Sequence, residues 1–333
     1  MSQPKNNTKS GGILSTLIIC LVLVAIAAVA IIYRQQIYDQ INYWDYTPSS
    51  QMASFVQRDA MSGEGKLLFY SAHPQLDDAT QFNKNCTTSS SNMAIIGCYD
   101  GQNIYIYNVT NTQLDGIRDV TAAYEMLHAA YKRLSPSDLA QVNQLVEAEY
   151  SKLNDPTINQ LVSFFATSEP GQRDNELFSI IATQIPNISP KLEAYYSRYF
   201  TNRQAVVALY NKYISVFKSL KTKADNLSSQ ITTMISTISS LSSQYNTNAQ
   251  QLNSDIDTFN TEAKDGYFTS VAEFDSARAV LVQRTAELES DRSTIQSDIG
   301  TYQNLLTQYN SIATQSQKLY DTINSTLVSS PSV

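Results

Sequence analysis

Residues 115–134 read DGIRDVTAAYEMLHAAYKRL, from Asp115 to Leu134. Ile117, Val120, Tyr124, Leu127, Ala130, Tyr131 and Leu134 recur at spacings of three and four, the pattern of an amphipathic helix. Asp115 or Asp119 is placed to cap its start, and Ser135-Pro136 stops it. Residues four apart share a helix face, with Cβ atoms about 5–6 Å apart. Tyr124 and His128 therefore look the same way, with Glu125 beside them and Leu127 turned toward the core. On these residues alone the plain reading is a buried or half-buried histidine on an ordinary helix, with no metal, because E-x-x-H arises often by chance.

The segments just upstream carry the strand signals. Residues 94–99 and 103–107 read as two strands joined at Asp100-Gly101 by a hairpin turn. Residues 67–70, Leu-Leu-Phe-Tyr, read as a third strand, preceded by a turn at Ser62-Gly63-Glu64-Gly65. His73, the only other histidine, falls in a loop before Pro74, where a surface or capping role outweighs metal binding. Cys86 and Cys98 flank a short Ser-rich stretch. Outside the cytoplasm their spacing suits a disulfide closing a small loop; in a reducing compartment they are two thiols.

Toward the N-terminus, residues 13–32 are almost wholly apolar. Twenty helical residues span a hydrocarbon core of about 30 Å. The run is longer than the apolar part of a signal peptide and ends in bulky Ile31, Ile32 and Tyr33, which favours an uncleaved anchor. Lys5 and Lys9 precede it and Arg34 alone follows closely, so the positive-inside bias places the N-terminus in the cytoplasm and the rest outside. Tyr33, Tyr38, Tyr43 and Trp44 suit an interfacial belt, although Trp44 serves equally as a core residue. Residues 34–65 read as a broken helical connector that lifts the next domain off the membrane.

Downstream of the central helix, residues 137–150, 156–166, 175–184 and 191 onward read as helices, punctuated by Pro186 and Pro190. From residue 201 the character changes. Val206, Tyr210, Tyr213, Phe217, Leu220, Ala224, Leu227, Ile231, Met234, Ile238, Leu241 and Tyr245 form a heptad seam. A second seam runs from Phe274 through Leu281, Leu288, Ile295, Tyr302 and Leu306, after a turn signal at Asp265-Gly266. Two such helices predict an antiparallel hairpin, each arm about 90 Å long. A parallel dimer through the first helix, hence self-association, is the competing arrangement.

The 333 residues carry a net charge of −7 with 16% charged side chains, and contain no Lys/Arg cluster. Nucleic acid is not an expected partner. The fold class is α+β, mostly α. The segments are a cytoplasmic tail 1–12, a transmembrane anchor 13–33, a connector 34–65, a folded domain 66–200, a coiled-coil hairpin 201–328 and a disordered tail 329–333.

Tyr124-Glu125-Met126-Leu127-His128 is one residue away from H-E-x-x-H, in which two imidazoles grip one Zn²⁺ and the glutamate takes a proton from its water. The surrounding Thr121-Ala122-Ala123-Tyr124-Glu125-Met126-Leu127-His128-Ala129-Ala130-Tyr131 resembles the T-A-A-H-E-M-L-H-A-A-Y helix of bacterial single-span membrane proteins with an extracytoplasmic zincin-like metallopeptidase domain. Ile96-Gly97-Cys98-Tyr99 and Ile104-Tyr105-Ile106-Tyr107 fit the same pattern. Asn175-Glu176-Leu177-Phe178-Ser179 looks like the N-E-x-x-S helix that supplies the glutamate ligand of gluzincins. Gly266-Tyr267-Phe268, with Glu273-Phe274 and Arg278, is similar to a coiled-coil element of such chains.

The resemblance implies Glu125 as general base and His128 and Glu176 as zinc ligands. Tyr124 stands where the first histidine ligand belongs, which weakens the expected zinc site or removes it, because a phenol ligates well only after losing a proton. Two readings follow. One is a non-catalytic pseudo-peptidase, serving as a binding or cell-envelope structural module with an envelope protein or peptide as partner. The other is an active metallopeptidase with an atypical Tyr/His/Glu site.

Overall fold

The computed structural model describes residues 11–86, 94–168 and 171–326, with side chains from residue 22 onward. Most of the expected cytoplasmic tail, including Lys5 and Lys9, and the expected disordered tail lie outside the described residues. The described chain forms twelve α-helices and one three-stranded sheet, in keeping with a mostly helical α+β fold. It divides into two compact units, one of residues up to 214 together with 321 onward, the other of residues 215–320.

The first unit begins with α1 (Gly11–Ile32) and α2 (Arg34–Asp45). From Val22 to Ile32 every α1 side chain is apolar and exposed. Among the described residues no single helix is long and apolar enough to cross a membrane. Val22–Ile32 and Arg34–Asp45, bent by 71° at Tyr33, pass together by length and composition only. Helices α3 (Ser50–Arg58) and α4 (Gly63–Ser71) start at serine caps, Ser49 and Ser62, whose hydroxyls accept from Met52 and Gly65 amides.

Residues 67–70 are therefore helical, not a strand. The short run Leu-Leu-Phe-Tyr is ambiguous by period, and two contacts outside it resolve it. Ser62 caps the helix, and Gly65 approaches the Tyr199 carbonyl so closely that a Cβ would come within 2.3 Å. Residues 34–65 also do more than connect: Met52, Phe55 and Met61 are part of the core, and Met61 bridges Phe200.

The sheet has the order β1-β3-β2. Strand β1 (Gln75–Asp77) runs parallel to β3 (Ile104–Tyr107), and β2 (Gly97–Tyr99) pairs antiparallel with β3. The expected hairpin around Gly101, with φ +101°, is present, whereas β1 and the following α5 (Ala79–Asn85) were not anticipated. Helix α6 (Ile117–Lys132) packs on this sheet and on α9 (Arg173–Gln184). On α9 pack α7 (Pro136–Tyr150), capped by Ser135 with Pro136 in its first turn, and α8 (Pro156–Ser168), while α10 (Pro190–Tyr196) packs on α7. The core joins Phe69, Ile104, Ile106, Met126, Leu127, Leu177, Phe178 and Tyr196, all buried. Leu127 faces the core, as its helical position predicts.

Helix α11 (Arg203–Lys264) starts in the first unit and α12 (Val271–Ile323) ends there. In the second unit they form a long antiparallel helical hairpin. Arg284 pairs with Asp255, and Phe259 packs on Phe274 with ring centroids 5.1 Å apart. Gly266, at φ +74°, makes the turn between them.

Candidate functional site

Helix α6 starts at Gly116, not at an aspartate cap. Gly116 has φ +104°, and a Cβ there would come within 2.7 Å of the Leu209 carbonyl oxygen. Asp115 instead receives Arg58 at 3.0 Å and Lys212 at 2.7 Å. From this start, about two turns of helix carry Tyr124, and about three carry His128, to the side facing α9.

There the sequence-predicted groups meet. The Tyr124 hydroxyl donates to Oε2 of Glu176. His128 Nε2 lies 3.4 Å from Oε1 of the same carboxylate. The two rings sit edge to face, with centroids 4.9 Å apart. His128 and Glu176 are buried and Tyr124 is half-buried. Asn175, one residue before Glu176, places its carbonyl oxygen 2.9 Å from His128 Nδ1, and its amide nitrogen is held by Gln172 at 3.1 Å. The Ser179 hydroxyl is 3.4 Å from Nδ1. All three α9 groups come from the N-E-x-x-S segment, in which Asn175 and Ser179 had no assigned role.

With Nδ1 donating to Asn175, Nε2 faces a carboxylate oxygen. The imidazole thus lies against one oxygen of Glu176 and the phenol against the other. Glu176 is then occupied on both oxygens, one by a phenol and one by the imidazole. Zinc requires deprotonated ligands and a free imidazole nitrogen. As arranged, the phenol, imidazole and carboxylate bind one another, and a zinc ion would have to displace both contacts to Glu176. Among the described residues no three His, Cys, Asp or Glu side chains are grouped as metal ligands.

Glu125 is buried and turned another way, against the edge strand β2. A Cβ on Gly97 would come within 2.7 Å of its Oε1 and 2.4 Å of the Thr121 methyl, so β2 can approach α6 only because residue 97 is glycine. Cys86, at the end of α5, and Cys98, in β2, are joined in a disulfide with Cα atoms 6.0 Å apart, which ties this edge strand to α5. His73 takes the capping role: its Nε2 donates to the Asn42 carbonyl in the last turn of α2 at 3.1 Å.

Two features of the α6 ends left no mark in the sequence. At the C-terminal end, Arg133 donates to both carboxylate oxygens of buried Asp39 on α2, at 2.7 and 2.8 Å, and to the Tyr99 hydroxyl at 3.0 Å. At the N-terminal end, Asp59 is wholly buried with neither carboxylate oxygen hydrogen-bonded, near Asp119, whose Oδ2 is 3.3 Å from Arg58. Burial pushes the Asp59 carboxyl well above the usual range, and the charge of Asp119 adds to this while Arg58 opposes it. Burial also raises Asp119, again against Arg58. Such pairings join residues dozens of positions apart, and nothing local announces them.

The chain matches no protein-family model, no curated protein and no solved structure.

Proposed function

We propose that this chain is a membrane-anchored, extracytoplasmic relative of the zincin-type metallopeptidases that has given up catalysis and serves as a binding or structural module of the cell envelope. The observation that carries this reading is the closed set Tyr124–Glu176–His128. The residues that resemble zinc ligands are present on two packed helices, but the substituted phenol holds the carboxylate that a metal would need. Without a metal to acidify water, Glu125 has no activated nucleophile to generate. Its carboxylate lies against Gly97 instead.

The anchor reading is supported by α1, apolar and exposed along every described side chain, since a helix apolar all round is either buried in protein or set in lipid. The disulfide suits an oxidising compartment outside the cytoplasm. The partner implied is an envelope protein or peptide.

The test is a peptidase assay on the purified full chain, using a casein-type substrate with added zinc and, separately, with a chelator. No zinc-dependent cleavage is expected. Chelator-sensitive cleavage that disappears in Glu125→Gln would establish the active Tyr/His/Glu enzyme instead.

A further inference from the structure

Helix α2 has two unlike faces. Asp39 is buried and paired with Arg133, and Tyr43 stacks on Tyr70 with centroids 6.1 Å apart, so this face belongs to the folded domain. Tyr33, Ile37, Ile41 and Trp44, at spacings of four, four and three, line the opposite face. They are 52%, 46%, 54% and 74% exposed. An apolar stripe at helical spacing on which none of the described residues pack marks an interaction surface.

The surroundings name its occupant. The stripe begins at Tyr33, where α1 ends, and the two helices meet at 71°. If α1 stands near the membrane normal, α2 runs close to the membrane plane. Its buried ion pair keeps it out of the hydrocarbon, while tyrosine and tryptophan on the free face suit the headgroup layer. The only basic residue on α2 is Arg34, and the whole chain is acidic, so attraction to anionic lipid contributes little. We infer that α2 is an in-plane interfacial helix, seating Tyr33, Ile37, Ile41 and Trp44 in the bilayer surface and, through Asp39–Arg133, holding the folded domain down on the membrane. This rests on the anchor reading of α1. It also replaces the expectation that residues 34–65 lift the domain away from the membrane.

Trp44 is the sole tryptophan and reports its own position. The full chain is reconstituted into phosphatidylcholine vesicles, floated on a density gradient, and its fluorescence measured with iodide on both sides or with brominated lipids. The chain should float. Trp44 should be blue-shifted, shielded from iodide, and lose emission most strongly with bromine near the glycerol end of the acyl chains, since interfacial helices sink about 5–10 Å. Ile37→Ser/Ile41→Ser should still float but lose most of the lipid quenching. A chain that does not float overturns the anchor reading and this inference with it. A chain that floats with Trp44 open to iodide and untouched by brominated lipid overturns the inference alone. Shielding from both quenchers, as when a second copy covers the face, also overturns it, as does unchanged quenching in the double variant.

Discussion

If Tyr124 stands in place of a ligand imidazole, as proposed, the phenol alters the proton count of the site as well as its geometry. Tyr124 brings a hydrogen that a neutral, metal-ready imidazole would not aim at Glu176, and the carboxylate takes it. Removing that hydroxyl leaves a buried carboxylate one bond short, so Tyr124→Phe should lower stability by on the order of 1–3 kcal/mol in urea unfolding. Asp59 behaves in the opposite sense. Its folded-state value lies well above that of the unfolded chain, so folding binds a proton. Its penalty is absent below the unfolded value of about 3.9, grows as pH rises toward the folded value, and is complete above it. Asp59→Asn should therefore be more stable than wild type at pH 7.5, by on the order of 1–3 kcal/mol, with the advantage gone near pH 3.5. Urea titrations at the two values check this; equal effects at both would show that ionisation of Asp59 is not what limits stability. At this scale helix spacing places Tyr124 and His128 on one face and the resemblance of the N-E-x-x-S segment adds Glu176, three groups that the fold brings together. Asp59 was not legible, because its burial is set by α6 and by the turn at its own helix end.

Among the elements, α6 is the member to which the others are tied. Gly97 lets β2 lie on it, Arg58 reaches its first turn, and Arg133 just past its end grips α2. A buried pair broken on one side leaves an uncompensated charge, so Arg133→Ala should cost about 3–5 kcal/mol, visible as a large fall in denaturation midpoint. Asp39→Asn combined with Arg133→Met should recover much of that loss, because it removes both charges together. Long helices with sustained periodicity, α6, α7 and the two arms of the hairpin, were readable from sequence. So was the β2–β3 turn, where Asp100-Gly101 supplies the positive φ. Helix α4 departs from the strand expected of residues 67–70 because four apolar residues carry no usable period and its cap lies outside them. Strand β1 is three residues long and exists only by pairing with β3, so it had no signal of its own.

Over the whole molecule, the polar character seen in composition has a structural counterpart. The hairpin arms are held by half-buried seam residues and by the Phe259, Phe268 and Phe274 cluster at the turn, with Arg284–Asp255 as a cross-helix ion pair. The chain then returns to the first unit, where the Asn83 amide donates to the Ser325 carbonyl at 2.9 Å. The sequence boundary at 201 falls close to the start of α11, but the first turns of that helix belong to the first unit, because Val206, Val207 and Leu209 pack there. On the proposed reading, Tyr124 stands in place of a metal-binding imidazole, and Tyr124, His128 and Glu176 form a hydrogen-bonded set where a zinc site would lie. The direct measurement is zinc per chain, by metal analysis after equilibration and removal of loose metal, for wild type and Tyr124→His. Restoring the imidazole frees Glu176 and supplies the i, i+4 pair, so the variant should retain one zinc and gain thermal stability with zinc, about 2.7 kcal/mol at a hundredfold excess over Kd. Wild type should retain little, and Glu176→Ala should abolish the gain. Stoichiometric zinc in the wild-type chain would contradict the account, and a Tyr124→His chain that stays metal-free would remove Glu176 and His128 from any ligand role.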